Sequence, residues 1–285
     1  MKKLLTAMSA ALLLTACGGD NDDGRLNVKT EMPDSAQTKE VTFYFGNDRA
    51  MTRAGLSDLN LADLWVFDYM SGDFKTSAHQ DAGDGFGSLS MSLEYGTHTL
   101  YFVASRGTTP TVDTDVHTIT WVKPSDTFWA SLSLTVSPSV SGSHEVTLRR
   151  VATRLRITVT DEVPVGAAKL VVQPSMWYTA LDYTTSAGVN GGNDTREISI
   201  PSSYIGTTGQ LSASFFGLSP TDSWQTDVVV SIKNGSGDVL GSVSLDDVPF
   251  SQNITTQYSG GLFGAGRNLS VDADDAWGDD NVHTW

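Results

Sequence analysis

Side chains that could carry out catalysis or hold a metal ion are few and widely separated in this sequence. The five histidines are His79, His98, His117, His144 and His283. Their spacings do not match those of metal ligands, and we expect each to be a surface residue in a turn or beside a strand. Sequence patterns typical of nucleophilic hydrolases, zinc proteases and phosphate-binding loops are absent. We therefore expect no enzymatic activity and no cofactor. A Ser-His-Asp triad, whose members meet only in the fold, is the enzymatic alternative.

Two groups of aspartates are the candidates for Ca²⁺ binding. One consists of Asp81 and Asp84, and the other of Asp272, Asp274 and Asp275. Calcium takes about six to eight oxygen ligands, and in EF-hand loops these stand at fixed positions that neither group reproduces. We therefore expect both groups to be solvated charge, and no metal site.

The only cysteine, Cys17, has the clearest chemical expectation. It follows Leu14-Thr15-Ala16, and an apolar run over residues 4–14 stands behind two lysines at the N-terminus. A positive end, a short apolar stretch and small residues are typical of a secretory signal. With leucine three positions before the cysteine, the segment resembles the lipobox of bacterial lipoproteins. This resemblance implies that residues 1–16 are removed and that Cys17 carries lipid, such as palmitate, on its sulfur and amine. The alternative is an ordinary secretory signal that ends at a cysteine.

The segment that follows is polar. Residues 17–40 are rich in Gly and Asp, and this composition predicts a lipidated, flexible tether. Asp20, Asp22 and Asp23 are either a solvated spacer or an export signal. As a signal, they resemble the acidic run that sends some Bacteroidales-type lipoproteins to the outer face of the outer membrane. The formal charge of −15 disfavours contact with nucleic-acid phosphates and with anionic membrane surfaces. No later run approaches the ~20 apolar residues of a membrane-spanning helix.

Beyond this tether the apolar residues recur with a period of two, which is typical of β-strands. Ser88–Tyr95 alternates in this way and predicts a strand with one wet face. His98–Ala104 is expected to be its hairpin partner, across a turn at Gly96. Leu64–Phe67 is apolar throughout and predicts a strand covered on both faces.

Loops and helices are expected in few places. Ser77–Gly87 and Ser186–Thr195 have turn composition and predict loops. The best helical candidate is Leu56–Leu64, and helix is expected to be a minor component. Further strands are predicted at approximately 116–122, 130–136, 167–173, 196–200, 210–217, 225–233, 239–245, 252–263 and 268–272.

The long alternating stretch Glu145–Asp161 contains Arg149-Arg150 and suits a segment that leaves one domain and enters the next. Each half of the chain holds about seven short strands, with turns every ~8–12 residues. The sequence therefore predicts an all-β chain with two tandem β-sandwich domains, residues 41–152 and 153–285. The two halves share no sequence repeat that can be aligned by eye.

Four tryptophans could line a carbohydrate-binding face: Trp121, Trp129, Trp177 and Trp224. They are spread through the strands, as core residues would be, rather than gathered into one platform. We expect them to pack in the core.

Two arginines, Arg49 and Arg53, lie in the stretch NDRAMTRAGLSD, between a strand and the aromatic run at Trp65. A segment of this kind is expected to be an exposed loop that a trypsin-like protease can cut.

Three longer stretches, together with the lipobox, resemble the fimbrillin superfamily of Bacteroidales-type bacteria, and within it the FimB-type (Mfa-like) lipoproteins that are fimbrial anchors or minor subunits. They are MTRAGLSDLNLADLWVFDYMSGDF (51–74), VTLRRVATRLRITVTDEVP (146–164) and PFSQNITTQYSGGLF (249–263). The resemblance implies two transthyretin-like β-sandwiches, no enzymatic activity, and other fimbrial subunits as partners. In this family a strand of one subunit completes the open sheet of its neighbour.

The resemblance also implies a role for the two arginines as protease cleavage sites. In stalk subunits of the family an arginine-specific protease removes the N-terminal strand, and Arg49 or Arg53 is the matching candidate here. Cleavage would separate Cys17 and its lipid from the rest of the chain. We therefore expect an uncut, lipid-anchored base or accessory subunit. The alternative is a surface lipoprotein that binds glycan or another host ligand through one sandwich face.

Overall fold

Alternating apolar and polar residues form β-strands throughout the part of the chain that the structure describes. The structure is a computed structural model and describes residues 37–47, 60–107, 109–263 and 269–274. The N-terminal half contains β1 (Thr38–Asn47), β2 (Asp63–Met70), β3 (Asp73–Asp81), β4 (Ser88–Glu94), β5 (Gly96–Ser105), β6 (Thr111–Asp113), β7 (Thr118–Thr120), β8 (Thr127–Val136) and β9 (Ser143–Arg150). The C-terminal half contains β10 (Ala152–Val159), β11 (Ala167–Pro174), β12 (Ala180–Asp182), β13 (Ala187–Val189), β14 (Arg196–Ser199), β15 (Leu211–Leu218), β16 (Ser223–Asn234), β17 (Val239–Ser251), β18 (Thr255–Gly260) and β19 (Leu269–Asp274).

Helix is confined, in these ranges, to one 3₁₀ turn at Ser202–Tyr204. None of the described residues belongs to a helix long and apolar enough to cross a membrane. The prediction of an all-β chain is confirmed.

Each half is a sandwich of two sheets, and the strand order is the same in both apart from an additional edge strand, β19, in the second half. The N-terminal half has the sheets β3-β2-β5-β8 and β9-β1-β4, which join at a corner where Phe128 and Trp129 pair with Arg150 and Arg149. The C-terminal half has the sheets β14-β11-β16-β17 and β15-β10-β18-β19. In both halves the first strand lies between one antiparallel and one parallel neighbour. The halves therefore repeat one topology, although their sequences do not align.

Each sandwich has its own core, built from the inward faces of both of its sheets. Val41, Leu64, Phe102 and Leu148 are fully buried in the N-terminal core. The C-terminal core includes a tryptophan, Trp177, that is 2% exposed. Full burial of an aliphatic or phenylalanine side chain stabilises a fold by about 1.5–3 kcal/mol, so these alternating residues hold the sheets face to face.

A third core lies between the two halves. The hairpin β6–β7 of one half and the hairpin β12–β13 of the other pair through β7 and β12, and form one small sheet. The Tyr183 ring stacks on Phe67 with 3.9 Å between centroids, and its hydroxyl shares a 2.9 Å hydrogen bond with that of Tyr69. The chain from Gln37 onward accordingly groups into one compact unit.

The passage between the halves lies where the sequence indicates it. β9 ends at Arg150 in one sandwich and β10 begins at Ala152 in the other, with Val151 between them. Val151 is fully buried in the third core. The assignment of 41–152 and 153–285 as domains stays a prediction.

The predicted hairpin between Ser88–Tyr95 and His98–Ala104 is wrong. Both segments are strands, but β4 pairs with β1 whereas β5 pairs with β2 and β8, in the opposite sheet. Gly96, at a φ of +145°, lets the chain cross from one sheet to the other. The two strands present their apolar residues to the same core from opposite sides, so a hairpin would leave one of these faces exposed.

Several other local predictions can be compared with the strands. Leu64–Phe67 is covered on both faces, because Leu64 and Val66 enter the N-terminal core and Phe67 enters the third core. Part of the predicted loop Ser77–Gly87 belongs to β3, whose residues are mostly exposed and therefore look loop-like in sequence. β13 lies inside the predicted loop Ser186–Thr195.

The helical candidate Leu56–Leu64 lies outside the described residues only at 56–59, and its described part, residues 60–64, contains no helix. Its last two residues, Asp63 and Leu64, begin β2. Of the strands predicted for the second half, all seven correspond to β11 and β14–β19, with boundaries within three residues except at β17, which extends six residues further, to Ser251.

Candidate functional site

His98 is the residue whose placement differs most from the sequence-based expectation. It is fully buried instead of lying at the surface. Its Nδ1 lies 2.7 Å from Asp68 Oδ1, and its Nε2 lies 2.8 Å from the Glu94 carbonyl oxygen. Because a carbonyl only accepts hydrogen bonds, Nε2 carries a proton. Burial raises the pKa of the Asp68 carboxyl above its ordinary value, while the hydrogen bond with His98 acts in the opposite direction.

This pair fixes the crossing between the two sheets. Asp68 lies on β2, His98 on β5, and Glu94 ends β4, so one imidazole joins three strands. Both ring nitrogens are engaged and the ring is inaccessible to solvent, so His98 cannot meet a substrate. Its role is structural.

His79 belongs to the group of described side chains that could supply ligands to a metal ion. The group consists of Asp63, His79 and Asp81, with one ligand atom from each within 4.8 Å of the others. The His79 Nε2 atom lies 2.5 Å from Asp63 Oδ1 and 3.5 Å from Asp81 Oδ1. The Trp65 indole N–H lies 3.1 Å from both Asp63 oxygens. Burial raises the pKa of the Asp63 carboxyl. The hydrogen bonds satisfy these atoms without an ion, so the geometry fits a structural pair.

Asp81 and Asp84, one of the two aspartate groups that the sequence offered as calcium ligands, are both exposed. The Asp81 side chain is 80% exposed, in keeping with solvated charge. Of Asp272 and Asp274 the structure describes the backbone, in β19. Asp275 and His283 lie outside the described residues.

The four tryptophans do not form a common face. Trp121 and Trp177 are each 2% exposed, which confirms their expected place in the core. Trp129 donates its indole N–H to the Tyr183 carbonyl at 2.7 Å and lies under the Arg149 guanidinium. These contacts occupy its ring at the junction between the halves.

Trp224 is the tryptophan that borders a cavity. It is half-buried at the start of β16, and stacks on Phe250 with 5.0 Å between ring centroids. The cavity is shallow, has a volume of about 290 Å³, and is lined by Ser223, Trp224, Gln225, Pro249, Phe250 and Ser251. One aromatic ring beside hydroxyl and amide groups is compatible with a small polar ligand such as a sugar.

The feature that bears most directly on the expected role is β1. It lies in the centre of its sheet, antiparallel to β4 from Thr38↔Glu94 onward and parallel to β9 from Thr42↔Ser143 onward. Val41 and Phe43 are fully buried and Phe45 is 2% exposed. The N-terminal strand therefore completes its own sandwich.

Aromatic packing fixes β1 in this position. The rings of Phe43 and Phe45 both meet Phe102 of the facing sheet edge-to-face, at centroid distances of 5.2 and 5.4 Å. Such pairs contribute about 0.5–1.5 kcal/mol beyond their burial. Loss of β1 would expose these rings and leave β4 and β9 without their shared partner.

The predicted lipidation site and the two predicted cleavage sites lie outside the described residues. They are Cys17, Arg49 and Arg53. In the sequence both arginines follow Asn47, the last residue of β1. A cut after either arginine would therefore leave β1 on the fragment that carries Cys17.

The basic pair Arg149-Arg150 ties the halves together. Arg150 Nε lies 2.6 Å from Oδ1 of Asp126, which is 1% exposed, and its Nη1 lies 3.2 Å from Asn253 of the other half. Arg149 reaches Gln252 Oε1 at 2.8 Å. Sequence reasoning found the arginines but not Asp126, because an aspartate 24 positions away carries no local signal of a partner.

Comparison with known proteins gives structural matches only. No family model matches the sequence, and no curated protein matches it. A candidate adhesin from Bacteroides ovatus is 13% identical, with a TM-score of 0.53 over 82% of this chain and 96% of that one. A candidate polysaccharide-binding protein from Bacteroides thetaiotaomicron is 11% identical, with a TM-score of 0.51 over 82% of this chain and 96% of that one.

The fimbrial anchor protein Mfa2 from Porphyromonas gingivalis also matches, at 10% identity and a TM-score of 0.46, over 78% of this chain and 91% of that one. Solved structures similar to this chain thus include adhesin and fimbrial proteins of Bacteroidales bacteria. The scores above 0.5 establish that the chain has the fold of the two Bacteroides proteins.

Proposed function

We propose that this protein is a structural subunit of a cell-surface fimbria, namely its lipid-anchored base or an accessory subunit, and that it joins its neighbours by β-strand addition. In this proposal residues 1–16 are a signal peptide, and Cys17 carries the lipid that holds the protein in the outer membrane. The tether of residues 17–40 runs into the first three residues of β1, Thr38 to Glu40, and 41–152 and 153–285 are two transthyretin-like domains. The observation that carries the proposal is the position of β1 at the centre of its own sheet.

The argument rests on what β1 connects. At its N-terminal end it continues into the tether and Cys17, and its apolar side chains are buried in the first sandwich. An anchor needs both connections, because the lipid holds the membrane and the sandwich holds the rest of the fimbria. A stalk subunit that gives up this strand gives up the lipid with it. Cleavage after Arg49 or Arg53 is therefore incompatible with an anchor.

The shared fold supports a surface role. The Bacteroides ovatus protein is a candidate adhesin, and the chain covers most of its length. The His98–Asp68 pair is buried, and the exposed His79 is held by Asp63 and Asp81, which favours a structural protein over an enzyme.

Mass spectrometry of the protein extracted from its native outer membrane tests the proposal. We expect an N-terminal peptide with lipidated Cys17 and a peptide that runs uninterrupted past Arg53. An N-terminus at Ala50 or Ala54 would overturn the anchor assignment and favour a stalk or tip subunit. In a deletion strain we expect fimbriae to be lost or shed into the medium.

A second candidate function, glycan binding at the cell surface, is favoured by the cavity beside Trp224. The relevant observations are the half-buried indole and the polar side chains of Ser223, Gln225 and Ser251 around it. Calorimetric titration with host-type oligosaccharides would distinguish the two functions. Under the fimbrial proposal no saturable binding is expected, whereas glycan binding requires a signal that Trp224→Ala abolishes.

A further inference from the structure

The repeated topology allows β9 to be compared with its counterpart in the second half, β18. Each of these strands pairs in parallel with the first strand of its own sandwich. Beyond β18 the sheet continues with β19, which is antiparallel to it over all six residues. Among the residues that the structure describes, no strand pairs with the outer edge of β9 between Ser143 and Leu148.

The neighbouring strand β8 does not fill this position. It contacts β9 in the ladder only at the corner, where Arg149 and Arg150 pair with Trp129 and Phe128. From the corner onward β8 pairs with β5 over its whole length, in the facing sheet. Beyond the corner β8 and β9 therefore diverge into opposite sheets. Among the described residues, the outer edge of β9 has no strand beside it there.

The backbone groups on this edge can be assigned from the ladder. The Thr42 N–H donates to the Gly142 carbonyl at 2.9 Å. Because the groups of alternate residues point to opposite sides of a strand, those of Glu145 and Thr147 point away from β1. The Ser141 hydroxyl donates to the Ser143 carbonyl oxygen at 2.9 Å and accepts from the Ser143 N–H at 3.2 Å. The backbone groups of Ser143 are therefore already hydrogen-bonded.

The same assignment in the second half gives an occupied edge. The Arg154 N–H donates to the Ile254 carbonyl at 3.1 Å, so the groups of Gln257 and Ser259 point away from β10. These two residues are paired with β19, at Asp272 and Ser270. Gln257 and Ser259 correspond to Glu145 and Thr147 in register, because Thr255 and Ser143 begin the two parallel ladders.

We propose that the outer edge of β9, at Glu145 and Thr147, accepts an antiparallel strand from a different polypeptide. This inference rests on the proposed function, and it names the surface through which the subunit joins its partner. Both residues are exposed, and they offer two N–H donors and two carbonyl acceptors in line. An unpaired edge of this kind is a template for strand addition.

The charges disfavour β19 of a second copy as the incoming strand. In the register seen on β18, Asp272 of that copy would lie directly opposite Glu145. Like charges directly opposite each other destabilise a strand pair. A strand from another subunit, with a neutral or basic residue facing Glu145, fits the edge better.

Joining at this edge is compatible with an intact anchor. β1 stays between β4 and β9, so the groove of the first sandwich remains filled and the connection to Cys17 remains whole. The partner adds to the outside of the sheet and needs no strand to be removed.

Photocrosslinking in the native bacterium tests the inference. A photoreactive phenylalanine derivative replaces Glu145 in the full-length chain, and the matched control carries it at Glu197, an exposed residue on the edge strand β14. We expect irradiation to join position 145, but not 197, to a second, different polypeptide. Crosslinks from 145 to another segment of the same chain, or to a second copy, would overturn the inference.

A backbone variant supplies the second measurement. Thr147→Pro removes an outward N–H without touching the ladder to β1, and proline is tolerated at such edge positions. Ser199→Pro is the matched control, because the Ile200 N–H donates to Ala168, which turns the groups of Ser199 outward on β14. We expect Thr147→Pro to lower the crosslinked or co-purified partner about tenfold, with an unchanged unfolding midpoint, and Ser199→Pro to have no effect.

The outcomes separate this inference from the proposed function. If the chain is found in sheared fimbriae but position 145 gives no crosslink, the edge assignment is wrong and the fimbrial role stands. If position 145 crosslinks to a protein that is absent from fimbriae, the edge assignment stands and the fimbrial role is wrong.

Discussion

The contribution of β1 to the stability of the first sandwich can be measured by replacing one side chain. Phe43 is fully buried, and its ring meets Phe102 edge-to-face at 5.2 Å. The substitution Phe43→Ala removes that ring while leaving the backbone ladders of β1 to β4 and β9 unchanged. We expect it to destabilise the N-terminal sandwich strongly.

The magnitude follows from burial and packing. Truncation of a buried phenylalanine to alanine costs about 3–5 kcal/mol, which includes the cavity that remains. The lost aromatic pair accounts for about 0.5–1.5 kcal/mol of this. At about 2–4 °C per kcal/mol for a chain of this size, the unfolding midpoint is expected to fall by about 6–20 °C.

The adjacent residue provides the control. Thr42 lies on the opposite face of β1, where its hydroxyl shares a 2.7 Å hydrogen bond with Ser90 in an exposed position. Thr42→Ala is expected to cost less than about 1 kcal/mol. Thermal unfolding followed by circular dichroism would measure both variants. If Phe43→Ala were no more destabilising than Thr42→Ala, β1 would not occupy the core in solution, and the argument for an intact anchor would lose its basis.

Three further predictions concern the buried polar groups. Tyr183→Phe leaves the Tyr69 hydroxyl without its 2.9 Å partner and should lower the free energy of unfolding by about 1–2 kcal/mol in urea titrations; an unchanged value would contradict the hydrogen bond. Asp126→Asn leaves the Arg150 guanidinium without its carboxylate and should cost about 3–5 kcal/mol in the same assay, so a loss below about 1 kcal/mol would show that the pair is solvated. Burial raises the folded-state pKa of Asp68 above its ordinary 3.8. The protonated carboxyl therefore stabilises the fold most below about pH 3.8, and this stabilisation is lost as the pH rises through the folded-state pKa. Wild type should therefore lose stability relative to Asp68→Asn as the pH rises above about 4, and a difference that is independent of pH would contradict the raised pKa.

The positions of most strands could be predicted from the sequence because the alternation of apolar and polar residues shows which face of a strand is exposed to solvent. Ser88–Tyr95 and the seven strands predicted for the second half are examples. Alternation does not report which strand lies alongside. The hairpin at Gly96 was wrong for this reason, since β4 and β5 have suitable patterns and a suitable turn but lie in opposite sheets.

The residues that join distant segments could not be predicted either. His98 was expected at the surface, because its burial depends on Asp68, 30 positions earlier in the chain. The strands β12 and β13 have three residues each, and β12 pairs with a hairpin of the other half. Contacts of this kind depend on pairs of residues that are far apart in the chain, and a single sequence does not reveal such pairs.

The parallel pairing of β1 with β9 has a mechanical consequence. In the proposed anchor, the membrane pulls on β1 at Thr38, and a load that acts on the second half reaches β9 at Arg150. These are opposite ends of two parallel strands, so tension acts along the strands and across every hydrogen bond of the ladder at once. Such shear loading requires all the bonds to break together, whereas peeling would break them singly. Separating β1 from β9 along the strands therefore requires a larger force than peeling them apart from one end.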